Sequence, residues 1–305
     1  HIAKFEIHYD ETTFQEMVYD FSNSTFIPSL VVSRNLARFG GGVFLENSIF
    51  KFRGPQTHVQ PIQTSNNMGA IFANIAYNLR YVDGDKTTVD VYRSKLPINM
   101  LDTQRGEGGN VFVSGTSEMY DALVSGGKAS VGGGVSVGGA KSMEEGHATL
   151  SRVVLVNNQA DRGGAIDVGV GSMLTTSAVT ISKNVAKGSL VTKNAGDGGG
   201  IFIEDGKNIM ITNTDFHENH AQRNGGALAS ISTSGIKIEL STVFSNTAKL
   251  DGGGISFTNS KNVAISKNSI CRNLGSKMGG GIAVEMTDIS LQNTNLENNI
   301  GLTGG

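Results

Sequence analysis

The sequence has 305 residues, of which 38% are hydrophobic and only 17% are charged, and its formal net charge is −2. This balance excludes the basic footprint of a nucleic-acid-binding domain and the low-hydrophobicity, high-charge composition of a disordered chain. The 41 glycines exceed the usual share of roughly 7%, but they follow no Gly-X-Y period, which excludes collagen.

Cys271 is the only cysteine, so the chain forms no internal disulfide. No apolar run approaches the roughly 18 residues of a membrane-spanning helix, and no leader-peptide pattern is visible. The sequence begins with His1 and ends with Gly304-Gly305, which resembles the start of another repeat. We therefore expect the repeat array to continue beyond both ends.

Residues 1–39 are predicted to be irregular N-terminal coils or a cap. Phe5 to Tyr9 alternates apolar and polar residues, as a strand with one buried face does. A second apolar run covers 26–32 and leads towards the first glycine-rich phrase.

Residues 40–153 are predicted to be β-helix coils with insertions. The phrase Gly40-Gly41-Gly42-Val43 opens this region, and all four prolines of the chain lie before residue 100. An Asp-Gly pair at 83–84 between two β-prone runs predicts a hairpin over about 80–97. The glycine- and serine-rich text over about 115–147 predicts an exposed loop between coils.

Residues 154–305 form the most regular part of the sequence. Two or three glycines, with alanine sometimes in the third place, precede an aliphatic residue, and these aliphatic residues stand at Ile201, Leu228, Ile255 and Ile282, in steps of 27. A fixed period of this length is typical of stacked repeats.

Apolar columns two residues apart accompany the glycine phrase, which is the period of a strand and not of a helix. An asparagine column follows, and asparagine side chains suit turns and can form stacked amide ladders. The pattern predicts an all-β fold, a right-handed parallel β-helix (solenoid) with about 27 residues and three short strands per coil. The residues assigned to the structural repeat are Gly199, Gly200, Ile201, Phe216, Asn219, Gly225, Gly226, Leu228, Asn246, Gly253, Gly254, Ile255, Asn273, Gly280, Gly281 and Ile282.

The step from Ile166 to Ile201 is 35 residues, eight more than the period. The excess lies after Asn184-Val185-Ala186, over residues 187–193. We expect a loop inserted at one corner, because an insertion there leaves the stacked core intact.

The alternation of Gly-Gly-Ala-Leu with Phe-x-x-Asn resembles the paired motifs of the polymorphic outer-membrane protein family, as in Gly225 to Leu228 and Phe216 to Asn219. Members of that family are surface-exposed autotransporter passengers of the pectin lyase-like β-helix class. The resemblance covers about 154–305 well and 32–44 more thinly, and it implies surface display and adhesion. Similar motifs also occur in large extracellular β-helix proteins of eukaryotic microbes.

Two short motifs suggest chemistry. Asn213-Thr214-Asp215 matches the first acidic motif of polygalacturonases, which share the predicted fold, but the chain has no adjacent Asp pair and no Arg-Ile-Lys segment. His217-Glu218-Asn219-His220 has histidines three apart, whereas a zinc-protease helix needs them four apart. Both motifs are interpreted as turn and corner residues.

Asp161, Asp197 and Asp251 each stand before a glycine corner. If these carboxylates stacked, they would offer oxygen ligands to Ca²⁺. Aspartate also favours turns without any metal, and other coils carry Phe39, Asn224 or Met278 near this position. We predict no cofactor and keep calcium as the alternative.

The favoured hypothesis is a non-enzymatic scaffold outside the cell or on its surface, acting in adhesion or as a structural repeat region. Its partners would be proteins, glycans or copies of itself, without nucleic acid, and with a membrane reached only through segments outside this sequence. The first alternative is a polysaccharide lyase or glycoside hydrolase, which needs acids and bases from adjacent coils to converge. The second is a spacer module of a large filamentous assembly.

Overall fold

The computed structural model describes the backbone of short strands between residues 31 and 76, together with residues 106–138, 145–190, 192 and 194–305. The strands in chain order are β1 (Val31–Ser33), β2 (Leu36–Ala37), β3 (Val43–Glu46), β4 (Gly69–Phe72), β5 (Ile75–Ala76), β6 (Val111–Ser125), β7 (Val135–Val137), β8 (Gly146–Val156), β9 (Gln159–Ala160), β10 (Ile166–Val168), β11 (Met173–Ser182), β12 (Val185–Ala186), β13 (Ile201–Glu204), β14 (Lys207–His217), β15 (His220–Ala221), β16 (Leu228–Ile231), β17 (Ser234–Glu239), β18 (Thr242–Phe244), β19 (Thr247–Ala248), β20 (Ile255–Thr258), β21 (Lys261–Ser266), β22 (Ser269–Cys271), β23 (Leu274–Gly275), β24 (Ile282–Glu285), β25 (Ile289–Gln292) and β26 (Asn295–Glu297).

These strands stack in parallel, each on its counterpart in the neighbouring coil. Ile201 lies opposite Leu228, Leu228 opposite Ile255, and Ile255 opposite Ile282, so the pairing register is the sequence period. The described residues contain no helix and form a solenoid of about 7 turns. The all-β parallel β-helix predicted from the glycine phrase is confirmed.

Each coil contributes to three sheets. The Ile201 sheet contains β3, the start of β6, β7, β10, β13, β16, β20 and β24. The long sheet contains β1, β4, the rest of β6, β8, β11, β14, β17, β18, β21, β22, β25 and β26. The Ala221 sheet contains β9, β12, β15, β19 and β23, while β2 pairs with β5.

The core lies inside the coils and is built from the predicted apolar columns. Ile201, Ile203, Ile209, Ile211 and Phe216 are all at most 1% exposed, and most of their columns stay apolar in the neighbouring coils; Ser230 and Thr176 are the buried polar exceptions. Burial of one such side chain contributes about 1.5–3 kcal/mol relative to exposure. Since a single coil cannot enclose these side chains, the stack is the unit that folds.

The strand pattern adds two features to the predicted three strands per coil. The second and third strands run together in β8, β11 and β14, and separate pieces appear only in later coils. A residue with positive φ bends the chain where the second strand meets the third, as at Asn213 (φ 45°) and Leu240 (φ 54°). The alanine column forms a fourth, two-residue strand, the Ala221 sheet.

The 35-residue step leaves the register unchanged. Ile166 pairs with Ile201 as directly as Ile201 pairs with Leu228. The extra residues leave the stack after Val185–Ala186 and return at Asp197, which confirms the corner insertion.

The exposed loop expected over about 115–147 is wrong for 115–125. These residues belong to β6, which pairs with β8 along Gly115 to Ser125. Met119, Ala122 and Val124 are at most 2% exposed and face the core. Burial of these apolar side chains makes the segment a strand in spite of its glycine- and serine-rich composition. Val135–Val137 then forms another strand of the Ile201 sheet.

The predicted hairpin over about 80–97 lies outside the described residues, as does the predicted cap over 1–39 except for β1 and β2. Between 31 and 76 the structure gives strand pairing alone. There Val43 pairs with Val111 in the Ile201 sheet, so the first glycine phrase leads into a coil of the same stack.

Candidate functional site

The asparagine column forms a continuous ladder of amide hydrogen bonds inside one corner. Asn219 Nδ2 donates to Asn246 Oδ1 at 3.0 Å, and the Asn219 backbone N–H donates to the same oxygen at 3.0 Å. The second amide hydrogen of Asn219 goes to the carbonyl oxygen of Ile181 at 2.8 Å. The same bonds recur through Asn158, Asn184, Asn246, Asn273 and Asn299. Buried amides in this corner are therefore satisfied by the next coil.

Asn110 extends this ladder, although it lies outside the asparagine column of the repeat. The coil below Asn158 carries Gly127 at the ladder position, where no side chain exists to bond. Asn110, from the glycine phrase of the adjacent strand, donates instead to Asn158 Oδ1 at 3.1 Å and to the Ser125 carbonyl at 3.1 Å. Gly127 and Asn110 together thus take the place of one ladder asparagine.

The first and second glycines of the phrase are required for different steric reasons. Gly225 has a φ of 63°, in the left-handed region that side chains disfavour. Gly226 faces the next coil, and a Cβ there would lie 2.2 Å from the Gly253 carbonyl oxygen. The first glycine therefore makes the turn, and the second allows neighbouring coils to approach.

A second row at the glycine corner explains two of the aspartates considered for calcium. Asp197 Oδ1 accepts the backbone N–H of Asn224, Asn224 Oδ1 accepts that of Asp251, and Asp251 Oδ1 accepts that of Met278. The third aspartate, Asp161, stands one residue out of this row, because Arg162 occupies the register of Asp197. Among the described residues, no group of three or more His, Cys, Asp or Glu side chains is arranged to hold a metal ion.

Arg162 is the centre of a buried charge cluster on the outer side of the Ile201 sheet. Its Nη1 lies 2.6 Å from Glu204 Oε2, and its Nε lies 3.1 Å from Asp167 Oδ1. The guanidinium also lies over the Phe202 ring, 4.8 Å from the centroid. Arg162 is 2% exposed and Asp167 is fully buried, so this cluster is sealed from solvent.

Burial shifts the acidity of two carboxyls in and near this cluster. Burial raises the pKa of Asp167 to about 7; Arg162 opposes the shift, and the carboxylates of Glu107 and Glu204 add to it. Burial also raises the pKa of Asp197 to about 6, against the influence of Arg223, whose Nη1 lies 3.7 Å from Asp197 Oδ2. Perturbed carboxyls of this kind occur at functional sites and in structural ion-pair networks alike.

The corner insertion covers the edge of this cluster, and we call its described residues, 187–190, 192 and 194–196, the strap. Both feet of the strap bond one carbonyl oxygen, since Gly188 N–H and Gly196 N–H donate to that of Asp161 at 3.1 and 2.6 Å. Thr192 Oγ1 donates to Asp161 Oδ2 at 2.9 Å, and Asn194 Nδ2 donates to Glu204 Oε1 at 3.1 Å. The strap is therefore a closed loop fixed on two carboxylates.

The polygalacturonase-like motif is divided among corner, core and surface. Asn213 has positive φ at a corner, Thr214 is buried and lies 3.0 Å from Thr176 Oγ1, and Asp215 points outward. Asp215 accepts a hydrogen bond from Thr242 of the next coil. No second carboxylate of the motif's kind joins it among the described residues.

The histidine pair flanks the asparagine ladder. His217 is the last residue of β14 in the long sheet and stacks on Phe244 with ring centroids 5.0 Å apart, while His220 belongs to the Ala221 sheet. Glu218 has positive φ between them, and Asn219 points inward to the ladder. The four residues thus form a corner, and Cys271 lies half-exposed in the column of His217 and Phe244.

No protein-family model, curated protein or solved structure matches this chain. The described residues contain no helix long and apolar enough to cross a membrane. The functional argument therefore depends on the geometry of this chain alone.

Proposed function

We propose that the chain is a rigid scaffold displayed outside the cell or on its surface, which acts by binding through its side faces. Its partners are proteins, glycans or copies of itself. Neither nucleic acid nor a cofactor takes part, and calcium remains the alternative ion. The observation that carries the proposal is the amide ladder from Asn110 to Asn299, which ties successive coils into one rod.

A rod of this kind presents outward side chains in straight rows. Thr180, Asp215, Thr242, Ser269 and Asn295 follow one another in register on the long sheet. Neighbours in such a row are about 4.8 Å apart, the spacing of paired strands. Rows of short polar groups on a stiff backbone are pre-organised to bind an extended partner at little cost in ordering.

The test of location is protease shaving of intact cells that produce the protein. We expect an externally added protease to remove the protein while a cytosolic marker stays intact. Protection of the protein until the cells are lysed contradicts the proposal. A heat-unfolded sample of the same protein, treated in parallel, controls for cleavage sites hidden in the folded rod.

A polysaccharide lyase or glycoside hydrolase is the second candidate, favoured by the pairing of two unlike carboxyls around Arg162. Burial raises the pKa of Asp167 to about 7, and Glu204 contacts the same arginine, so two carboxyls in unlike surroundings lie together, as glycoside cleavage uses. Because Asp167 is fully buried, substrate access would require the residues that cover it to move. Release of reducing ends or unsaturated uronides from acidic polysaccharide, lost in Asp167→Asn, would establish this candidate in place of the first.

The enzyme alternative would draw on charged residues near the insertions, among them Asp90, Arg93, Glu118 and Glu145. Glu118 lies on the long sheet and accepts a hydrogen bond from Tyr120, and Glu145 lies 3.3 Å from Lys207. Asp90 and Arg93 lie outside the described residues. The described coils contain no observation that favours the spacer hypothesis over the binding scaffold.

A further inference from the structure

One side of the rod is basic, although the chain as a whole has a net charge of −2. This side is formed by the Ala221 sheet and the corners that flank it, and we call it the basic face. It carries the side chains of Lys128, Lys183, Lys187, Arg223, Lys249, Arg272 and Lys277.

The pairing register places these cations along the axis of the rod. Lys128 pairs with Gln159, and the column continues through Val185, His220, Thr247 and Leu274. The five steps between strands span roughly 24 Å at about 4.8 Å each. Flanking this column, Lys183 and Arg272 occupy one corner, and Lys187, Arg223, Lys249 and Lys277 occupy the other.

The carboxylates near this face neutralise only part of its charge. Glu218 is the one exposed carboxylate among its described residues, and its Oε2 lies 3.7 Å from Lys183 Nζ. Asp161 and Asp197 are buried beneath Lys187 and Arg223. Asp251 borders the face, and its Oδ1 accepts the N–H of Met278. Lys128, Lys249, Arg272 and Lys277 are exposed and form no ion pair with any described residue.

The long sheet does not share this excess. Lys237 and Lys267 both contact Glu239, at 2.7 and 3.2 Å, and Lys207 contacts Glu145 at 3.3 Å. The positive charge of the basic face also affects the pKa of His220, which lies at its centre. Burial lowers the pKa of His220, and the charge of Lys249 lowers it further.

We propose that the basic face binds a linear acidic polysaccharide that lies along the rod axis. The ligand class follows from the charge spacing, which is one or two cations per occupied coil at a rise of about 4.8 Å. This density suits a polymer with a carboxylate or sulfate on each sugar or each second sugar. Duplex DNA carries one charge per about 1.7 Å, and the described part of this face has no Phe, Tyr or Trp on which single-stranded bases would stack.

This inference rests on the proposed binding-scaffold function and names the ligand class of one face. The test measures binding of the whole chain to polygalacturonate and to heparin by calorimetry at several salt concentrations. Lys249→Gln/Arg272→Gln/Lys277→Gln is compared with Lys207→Gln/Lys237→Gln/Lys261→Gln, which changes the net charge equally on the long sheet. Both triplets are exposed, so both variants are expected to keep the melting temperature of the wild type.

We expect affinity for at least one of the two polysaccharides to fall with rising salt and to drop about tenfold or more in the basic-face variant. The long-sheet variant should change affinity by less than about threefold. Equal losses in both variants, no binding to either polymer, or tighter binding to an oligodeoxythymidylate of equal charge would overturn the inference. Such a failure would not contradict surface display, which protease shaving tests separately.

Discussion

Asn246 Oδ1 accepts two hydrogen bonds from Asn219, one from the side-chain amide and one from the backbone N–H, both at 3.0 Å. This pair is one rung of the ladder that joins the coils, and the side-chain amide of Asn219 uses both of its hydrogens, on Asn246 Oδ1 and on the Ile181 carbonyl oxygen. Removal of one side chain should therefore disturb two neighbouring coils at once.

Asn246→Ala is expected to lower the free energy of unfolding by about 2–4 kcal/mol, because it leaves buried polar groups without partners. Those groups are the two donors of Asn219 and the carbonyl oxygen of Phe216. Urea unfolding followed by circular dichroism measures the change. Asn295→Ala, at an exposed strand position, is the control and should cost less than about 0.5 kcal/mol; equal effects of the two substitutions would show that the ladder is not stabilising.

Asn110→Ala is expected to destabilise the chain much as loss of a ladder residue does, although Asn110 lies in the glycine phrase. Its amide bonds Asn158 and the Ser125 carbonyl, and Gly127 offers no replacement. Thr116→Ala, an exposed change on the same strand, serves as the control in the same unfolding experiment. If Asn110→Ala matches the control, Asn110 does not substitute for the missing rung.

Stability is expected to rise as the pH falls from about 8 towards 5, contrary to ordinary acid denaturation. The pKa of Asp167 is about 7 in the folded chain, above its ordinary value of 3.8, and the pKa of Asp197 is about 6. Between the ordinary pKa of 3.8 and the raised pKa of each group, the folded state keeps a proton that the unfolded state has lost. Protonation therefore favours folding by up to about 1.4 kcal/mol per pH unit and group. Stability present at low pH is lost as the pH rises through 6 to 7.

Urea midpoints between pH 5 and 8 test this pH dependence, with Asp167→Asn as the matched variant. The asparagine cannot ionise, so the slope between pH 5 and 8 should become shallower. A slope of the opposite sign in the wild type, or an unchanged slope in Asp167→Asn, would show that Asp167 is ionised at neutral pH in the folded chain.

Asp161→Ala is expected to loosen the strap without unfolding the rod. The substitution removes the oxygen that Thr192 bonds and the carboxylate beside Lys187, while the Asp161 carbonyl still holds both feet. Limited proteolysis should cut within 187–196 about tenfold faster, with the urea midpoint nearly unchanged. Asp288→Ala, an exposed acidic residue, controls for the loss of one charge and should leave the cleavage rate as it is.

The sequence predicts those parts of the fold that repeat. Ile201 and Leu228 are 27 residues apart because each coil must return to the same register, and the asparagine column follows from the same constraint. The exposed loop expected over about 115–147 is wrong at 115–125, because the glycine- and serine-rich composition hides the buried positions Met119, Ala122 and Val124. The role of Asn110 in the ladder was not predicted, because Asn110 stands at a different position of the repeat from the other ladder asparagines.

The Arg162 cluster lies beyond sequence prediction for a different reason. Arg162, Asp167 and Glu204 come from two coils, and no other described coil carries an arginine or an aspartate at the positions of Arg162 and Asp167 together. Counting back from Ile166 would have placed Arg162, and not Asp161, in register with Asp197. The contact of Asn194 with Glu204 depends on the path of the strap, which no period describes.

The exchange of side-chain amide hydrogens in a ¹⁵N-labelled sample tests most directly that the coils form one rod held by its ladder. The account predicts that the amides of Asn158, Asn184, Asn219 and Asn246 exchange with solvent as slowly as the backbone of the core strands. The exposed Asn295 amide should exchange at the rate of a free side chain. Rapid exchange at the four ladder positions, equal to that of Asn295, would contradict it.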